Sequence, residues 1–225
     1  MTAANHTQQI VRMSLSEISA LSCRAARGAG LQWGEADEAA FATVWLARAG
    51  IDWLEMLLDV LRVSANSAPD VAVGTWRGNT SLCPLRTGIA LSDFSALPEG
   101  LGNGPLTLEA VARPLFMLPF VVRAAETLSR PLHISAGCFD ACLAAASPPL
   151  FAALQPDERS AAGSPCNVLI GFCEPPPKVP AWPARHSAEV SAALYRELND
   201  LAMQTTVPTS ARSLAGAGAL GDDND

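Results

Sequence analysis

The sequence CRAARGAGLQWGEADE, residues 23–38, contains three glycines, two arginines, a tryptophan and three acids. Apolar residues at helical spacing stand on both sides of it, so it joins two predicted helices. Glycine commonly ends a helix, and acids are favoured in a first turn, where they complement the helix dipole. The stretch therefore predicts one helix that stops at Gly28 and a second that starts near Gly34.

The same residues allow two interpretations. Arg24 and Arg27 beside Gly28 and Gly30 are typical of an anion site, because glycines let backbone amides approach a ligand at a helix N-terminus. The three acids that follow would repel an anion there. The alternative is a structural corner with positive φ and with Trp33 packed into the core. We favour the corner and retain these five residues as ligand-binding candidates.

On either side of this stretch, residues 1–13 are expected to be a flexible tail and residues 14–63 a helical region. Ser14 and Glu17 have the spacing of a capping box, which predicts that the first helix starts there. Gly50 ends the second helix and Asp52 can cap a third. This third helix is expected to place its leucines inward and its charged residues outward.

Residues 70–205 are expected to form a mixed α/β region of the same domain, after a linker-like stretch. Apolar β-type runs predict strands, and two longer segments predict helices, the first kinked or delayed by Pro119. The predicted strands are 71–76, 87–91, 106–111, 131–135 and 167–173, and the predicted helices are 114–128 and 187–204. The expected fold class is α/β or α+β: an N-terminal three-helix layer packed on a mixed, partly parallel sheet, with a C-terminal helix.

Composition excludes several classes of function. The chain has 15 basic and 22 acidic residues and a single lysine, so the basic stripe that nucleic-acid binding needs is absent. Its apolar runs are shorter than the roughly 20 residues that span a bilayer. The first 12 residues lack the pattern of a secretory signal, so we expect a cytoplasmic protein without nucleic-acid or membrane partners.

Candidate catalytic residues follow predicted strands. Cys138 comes just after a strand end with Asp140 nearby, which favours it if any cysteine is reactive. Glu174 ends another strand, where a carboxylate can act as general acid or base, and Arg185 can line the same crevice as a ligand-binding residue. The cysteine spacings do not fit a zinc site, so no metal site is predicted and the cysteines are expected to be buried.

The C-terminal residues 206–225 form a Gly/Asp-rich segment that contains a literal GxGxxG at 216–221. A dinucleotide site needs a following helix and an acid about 20 residues later, and only four residues remain, so that interpretation fails. The sequence instead predicts a mobile tail. A second interpretation is that its acidic end docks into a site, on this chain or another, or binds a hard cation.

Two parts of the chain carry a family resemblance. The N-terminal stretch, of the pattern ARGAGxxWGxAxEA, and the C-terminal GAGAxGDDND-like end resemble a family of bacterial proteins of about this length, catalogued only as a domain of unknown function. The resemblance implies no activity and no catalytic residues.

Two classes of function therefore stay open. The first is an enzyme acting on a small polar or carboxylate-bearing metabolite, with the arginines holding the anion. The second is a non-catalytic subunit or ligand-binding protein that acts through a protein partner or as a homo-oligomer. The cofactor is unknown.

Overall fold

The computed structural model describes residues 9–63, 68–137, 139–143, 165–174 and 184–205. Within these ranges the chain forms helices, strands and one 3-10 turn. In chain order they are β1 (Ile10–Ser14), α1 (Leu15–Gly28), α2 (Trp33–Arg48), α3 (Leu54–Val63), β2 (Thr75–Trp76), α4 (Pro84–Phe94), β3 (Leu106–Val111), the 3-10 turn (Pro114–Met117), α5 (Leu118–Leu128), β4 (Leu132–Ala136), β5 (Phe139–Leu143), β6 (Cys166–Phe172), β7 (Ser187–Ser191) and α6 (Ala192–Met203).

The N-terminal helices follow the local signals in the sequence. Ser14 and Glu17 form the predicted capping box, with the Glu17 carboxylate accepting from the Ser14 amide at 2.7 Å. Gly30 has a φ of +91°, as a glycine corner requires. Buried Thr43 of α2 donates to the Ser22 hydroxyl of α1 at 3.0 Å, which joins the two helices through the core.

The central sheet has the strand order β2-β3-β6-β4-β5. The β2 and β3 strands are parallel, whereas the other neighbours are antiparallel. Since β3 and β4 both run antiparallel to β6, they are parallel to each other with β6 between them. The α5 helix connects them, so the predicted strand-helix-strand unit is present in a split form.

A second, two-stranded sheet pairs β1 with β7, with Ile10 opposite Ser191 and Ser14 opposite Ser187. Two predictions are corrected here. The tail predicted for residues 1–13 already forms a strand from Ile10, and residues 187–191 form a strand although a helix was predicted from 187. Both strands are stabilised by pairing between distant parts of the chain, which no local pattern reports. The Ser191 hydroxyl accepts from the Ala193 amide and caps α6, so the helix starts later than predicted.

Residues 87–91, predicted as a strand, belong to α4 instead. Pro84 stands in the first turn, where proline suits a helix, and Leu85, Gly88 and Leu91 recur on one buried face. A Cβ at Gly88 would lie 2.2 Å from the Phe120 ring, so this glycine lets α4 approach α5 closely. The predicted strand 71–76 is likewise reduced to Thr75–Trp76.

Pro119 does delay its helix. A 3-10 turn covers residues 114–117, and α5 starts at Leu118 with Pro119 in its first turn. The α2 helix contacts α4 and α5, and α5 packs against β4 and β5. One hydrophobic core connects the helices with both sheets. The predicted class is confirmed: the protein is α+β, with N-terminal helices, a mixed and partly parallel sheet and a C-terminal helix.

In the part of the chain that the structure describes, every helix is too short or too polar to cross a membrane.

Candidate functional site

The glycine corner between α1 and α2 is a surface feature. Trp33 is 68% exposed, so the expectation that it packs into the core is wrong. The Arg27 guanidinium lies 4.4 Å from the centre of the Trp33 ring and also donates to the Leu31 carbonyl. Exposed Arg24 makes only a long contact, at 3.4 Å, to the Ala20 carbonyl. Tryptophan and arginine therefore form a stacked pair that faces solvent.

The acids of the first turn of α2 are already engaged. Glu35 accepts from the Gln32 amide at 3.0 Å and pairs with Arg86 of α4 at 3.0 Å. Glu38 pairs with Arg123 of α5 at 2.6 Å. These ion pairs fasten α2 to α4 and α5. Because a carboxylate already caps the N-terminus of α2, that end is not an open anion site.

Asp37, the third acid, accepts a hydrogen bond from the Cys23 thiol at 3.5 Å. Partial burial raises the pKa of Cys23, and the neighbouring Asp37 raises it further. Cys23 is therefore a protonated thiol at neutral pH, which is a poor nucleophile.

The predicted catalytic residues belong to another part of the fold: Asp140 lies on β5, and Glu174 lies just after β6. The His133 Nε2 atom is 3.0 Å from the Asp140 carboxylate, and both side chains are substantially exposed. Cys138 lies outside the described residues. Glu174 is exposed, and its backbone carbonyl accepts from the Cys142 thiol at 3.7 Å.

Two cysteines meet at this end of the sheet. Burial raises the pKa of Cys173 to about 12, and a hydrogen bond with Cys142 contributes to the rise. Such a thiol stays protonated near neutral pH. Across the described residues, no group of three or more histidine, cysteine or acidic side chains is arranged to hold a metal ion.

Polar groups converge at a third place, a cavity of about 230 Å³ between the α2–α3 connection and the segment that leads into α6. We call it the Arg185 cavity. Its walls come from the end of α2, the start of α3, β7 and the first turns of α6. The lining residues are Ala47, Gly50, Ile51, Asp52, Trp53, Leu54, Glu55, Arg185, Ala188, Glu189, Val190, Ser191 and Leu194.

Arg185 is positioned by the backbone on both sides of the cavity. Its amide donates to the Arg48 carbonyl at 2.9 Å. A Cβ at Gly50 would lie 2.6 Å from its Nε and 2.7 Å from its Cζ, so the guanidinium rests on this glycine. Gly50 has a φ of +69°, and its lack of a side chain serves both the turn and the arginine.

The charges that line the cavity are mixed. Asp52, Glu55 and Glu189 contribute three carboxylates, against the single guanidinium of Arg185. Glu55 also pairs with Arg113 at 3.5 Å. A simple anion would meet net repulsion, whereas a ligand with both signs of charge finds a partner for each.

Trp53 adds a buried polar atom to this wall. The residue is only 2% exposed, and its Nε1 has no hydrogen-bond partner among the residues that the structure describes. Buried tryptophan N–H groups are usually paired, and leaving one unpaired costs about 1–3 kcal/mol. Trp53 therefore brings a buried and unpaired donor to the residues that line the cavity.

The predicted site residues thus fall into three separate regions. The corner lies at the start of α2 and the Arg185 cavity at its end, which puts them about 24 Å apart for a helix of 16 residues. Asp140 and Glu174 belong to the central sheet. Arg185 is the only ligand-binding candidate that lines the cavity, and the three carboxylates around it were not among the candidates.

Comparison with known proteins adds a family match for part of this fold. Residues 13–103 match the model of a family described as "Protein of unknown function (DUF3726)". The expected resemblance to a family of unknown function is confirmed for these residues. They include the glycine corner and the α2–α3 side of the cavity, but not Arg185, β7 or α6. No curated protein and no solved structure matches the chain.

Proposed function

We propose that the protein binds a small, polar, carboxylate-bearing metabolite in the Arg185 cavity. The observation that carries the proposal is Arg185, which lines this cavity and whose guanidinium lies against Gly50. A guanidinium offers two parallel donors to a carboxylate. The volume is below the roughly 300–1,000 Å³ of sites for drug-sized ligands, which favours a compact metabolite.

The charged residues that line the cavity narrow the class of ligand. The residues that line the cavity include three acids and one arginine. A ligand that carries an ammonium group as well as a carboxylate can pair with Arg185 through one end and with Asp52, Glu55 or Glu189 through the other. We therefore propose an amino-acid-like zwitterion, with a simple dicarboxylate as the weaker ligand.

The geometry favours binding over catalysis. Asp140 and Glu174 do not line the cavity, and the raised pKa values of Cys23 and Cys173 belong to protonated thiols in other places. We accordingly propose a ligand-binding protein and not an enzyme. Its cytoplasmic location, and its action through a protein partner or as a homo-oligomer, are part of the same proposal.

The test is calorimetric titration with matched small molecules: amino acids, the corresponding amines and the corresponding carboxylic acids. We expect the amino acids to bind most tightly. Arg185→Gln should weaken binding by about 10- to 100-fold, the equivalent of about 1.5–3 kcal/mol for a lost charged hydrogen bond. Arg77→Gln is the matched control, because Arg77 is an exposed arginine outside the cavity.

Two results would overturn the proposal. If the Arg185→Gln and Arg77→Gln proteins bound the ligand with equal affinity, the Arg185 guanidinium would not be part of the binding site. If no amino acid, amine or carboxylic acid bound, the proposal of a small carboxylate-bearing ligand would be wrong.

A further inference from the structure

The glycine corner has a surface that the proposed ligand site does not use. We call Arg24, Arg27 and Trp33 the Arg-Trp patch. Neither arginine has a carboxylate partner among the described residues, whereas the nearby acids Glu35 and Glu38 are paired with arginines of α4 and α5. The patch therefore combines two arginines that form no ion pair among the described residues with one large, solvent-facing ring. The remaining acid of the corner, Asp37, accepts a hydrogen bond from the Cys23 thiol.

The end of α6 lies against this corner. A Cβ at Gly28 would be 1.8 Å from the Leu201 carbonyl oxygen and 3.5 Å from the Gln204 Cβ. The described part of the chain ends at Thr205, one residue further on. The chain thus leaves α6 next to the turn that carries the patch, and residues 206–225 continue from that point.

The chemistry of these 20 residues complements the patch. They contain three aspartates, Asp222, Asp223 and Asp225, against one basic residue, Arg212. Within residues 214–225, Leu214 and Leu220 are the largest apolar side chains, and both precede the acids. A segment of 20 residues can span up to roughly 66–72 Å, so reach does not limit contact with a neighbouring turn.

We propose that residues 214–225 dock on the Arg-Trp patch of the same chain, with the aspartates against Arg24 and Arg27 and a leucine against the exposed Trp33 ring. Linkage within one chain replaces a bimolecular association by a local one, so weak contacts suffice. The docking is electrostatic in part, and salt therefore weakens it. The docked segment covers the corner and leaves the Arg185 cavity free, so this inference does not depend on the proposed ligand.

Trp33 provides the signal for the test. Acrylamide quenching is measured on the full chain and on a chain lacking residues 214–225, and the same pair carrying Trp33→Phe isolates the Trp33 contribution by difference. We expect the deletion to increase quenching of Trp33 about two- to fivefold. Addition of 0.5 M NaCl to the full chain should act in the same direction.

Charge variants identify the contacts. The triple variant Asp222→Asn, Asp223→Asn and Asp225→Asn should increase the quenching of Trp33 as the deletion does. The control is the triple variant Asp70→Asn, Asp93→Asn and Glu126→Gln, which removes three exposed acids elsewhere and should leave quenching unchanged. Arg24→Gln should expose Trp33 without unfolding, because Arg24 makes only the long contact to Ala20.

A synthetic peptide of residues 214–225, added to the truncated protein, should again protect Trp33 from quenching. It should not do so when the truncated protein also carries Arg24→Gln. Equal quenching of Trp33 in the full and truncated chains would overturn the proposal. Protection of the full chain that depends on protein concentration would also overturn it, since the segment would then dock on another copy.

Discussion

At the scale of single residues, Gly30 and Gly50 both have a positive φ, but of the two only Gly50 also lies against a neighbouring side chain. Gly30 has open space around it, whereas a Cβ at Gly50 would collide with the Arg185 guanidinium. We expect Gly30→Ala to cost about 1–2 kcal/mol of unfolding free energy from backbone strain alone. Gly50→Ala should cost a similar amount and, in addition, weaken ligand binding by displacing Arg185.

Urea unfolding and ligand titration of both variants check this pair. If Gly50→Ala bound the amino-acid ligand as well as Gly30→Ala does, the guanidinium would not depend on this glycine.

The raised pKa of Cys173 predicts how the free energy of unfolding changes at alkaline pH. Its folded-state pKa is raised from 9.0 to about 12, first by burial and then by Cys142. Above pH 9 the unfolded chain loses this proton while the folded protein keeps it, so the stabilisation is complete below pH 9 and is lost as pH rises toward 12. The free energy of unfolding of the wild type should therefore fall more steeply between pH 9 and 11 than that of Cys173→Ala. Parallel curves from denaturant titrations at these pH values would contradict the assignment.

Single residues also show what sequence patterns can predict. The capping box and the positive φ of Gly30 depend on neighbours in the chain, and both were predicted. The exposure of Trp33 depends on which elements cover the corner, and α6 approaches Gly28 without covering the ring. The pairing of Glu35 with Arg86 spans 51 residues and leaves no local signal.

At the scale of elements, the contact between α1 and α6 rests on a missing side chain. A Cβ at Gly28 would overlap the Leu201 carbonyl, whereas Gly34, in the first turn of α2, has nothing within 4 Å. We expect Gly28→Ala to destabilise the protein by about 1–3 kcal/mol, because the helices must separate. Gly34→Ala should be neutral or stabilise it by up to about 1 kcal/mol, since alanine favours a helix.

Thermal unfolding of the two variants makes the comparison. A melting temperature that falls equally for both would mean that the close approach of α1 and α6 is unimportant for stability.

Elements held by local signals were predicted more accurately than elements held by distant partners. The β3 strand, 106–111, was predicted at its observed bounds, and α3 buries its leucines as expected. The β1 and β7 strands exist because they pair with each other over some 180 residues. Residues 87–91 of α4 were predicted as a strand because their apolar residues form a short run, whereas Gly88 in fact lets α4 approach the Phe120 ring.

At the scale of the whole molecule, the fold separates residues that were predicted to share a ligand-binding role and brings together residues that are far apart in the sequence. The corner residues and Arg185 were predicted to bind a ligand, yet α2 holds them about 24 Å apart. Asp52 and Glu189 are 137 positions apart and line one cavity. The charge pattern of that cavity comes from chain topology, which explains why its acidic lining residues were not among the candidates.

Native mass spectrometry of protein purified gently from its own host shows whether the Arg185 cavity holds a small zwitterionic metabolite. We expect an added small-molecule mass, with the composition of an amino-acid-like compound, on the wild type and on Arg77→Gln, and its loss on Arg185→Gln. An added mass that Arg185→Gln retains in full would contradict the proposal, and so would a stable second polypeptide with no small molecule.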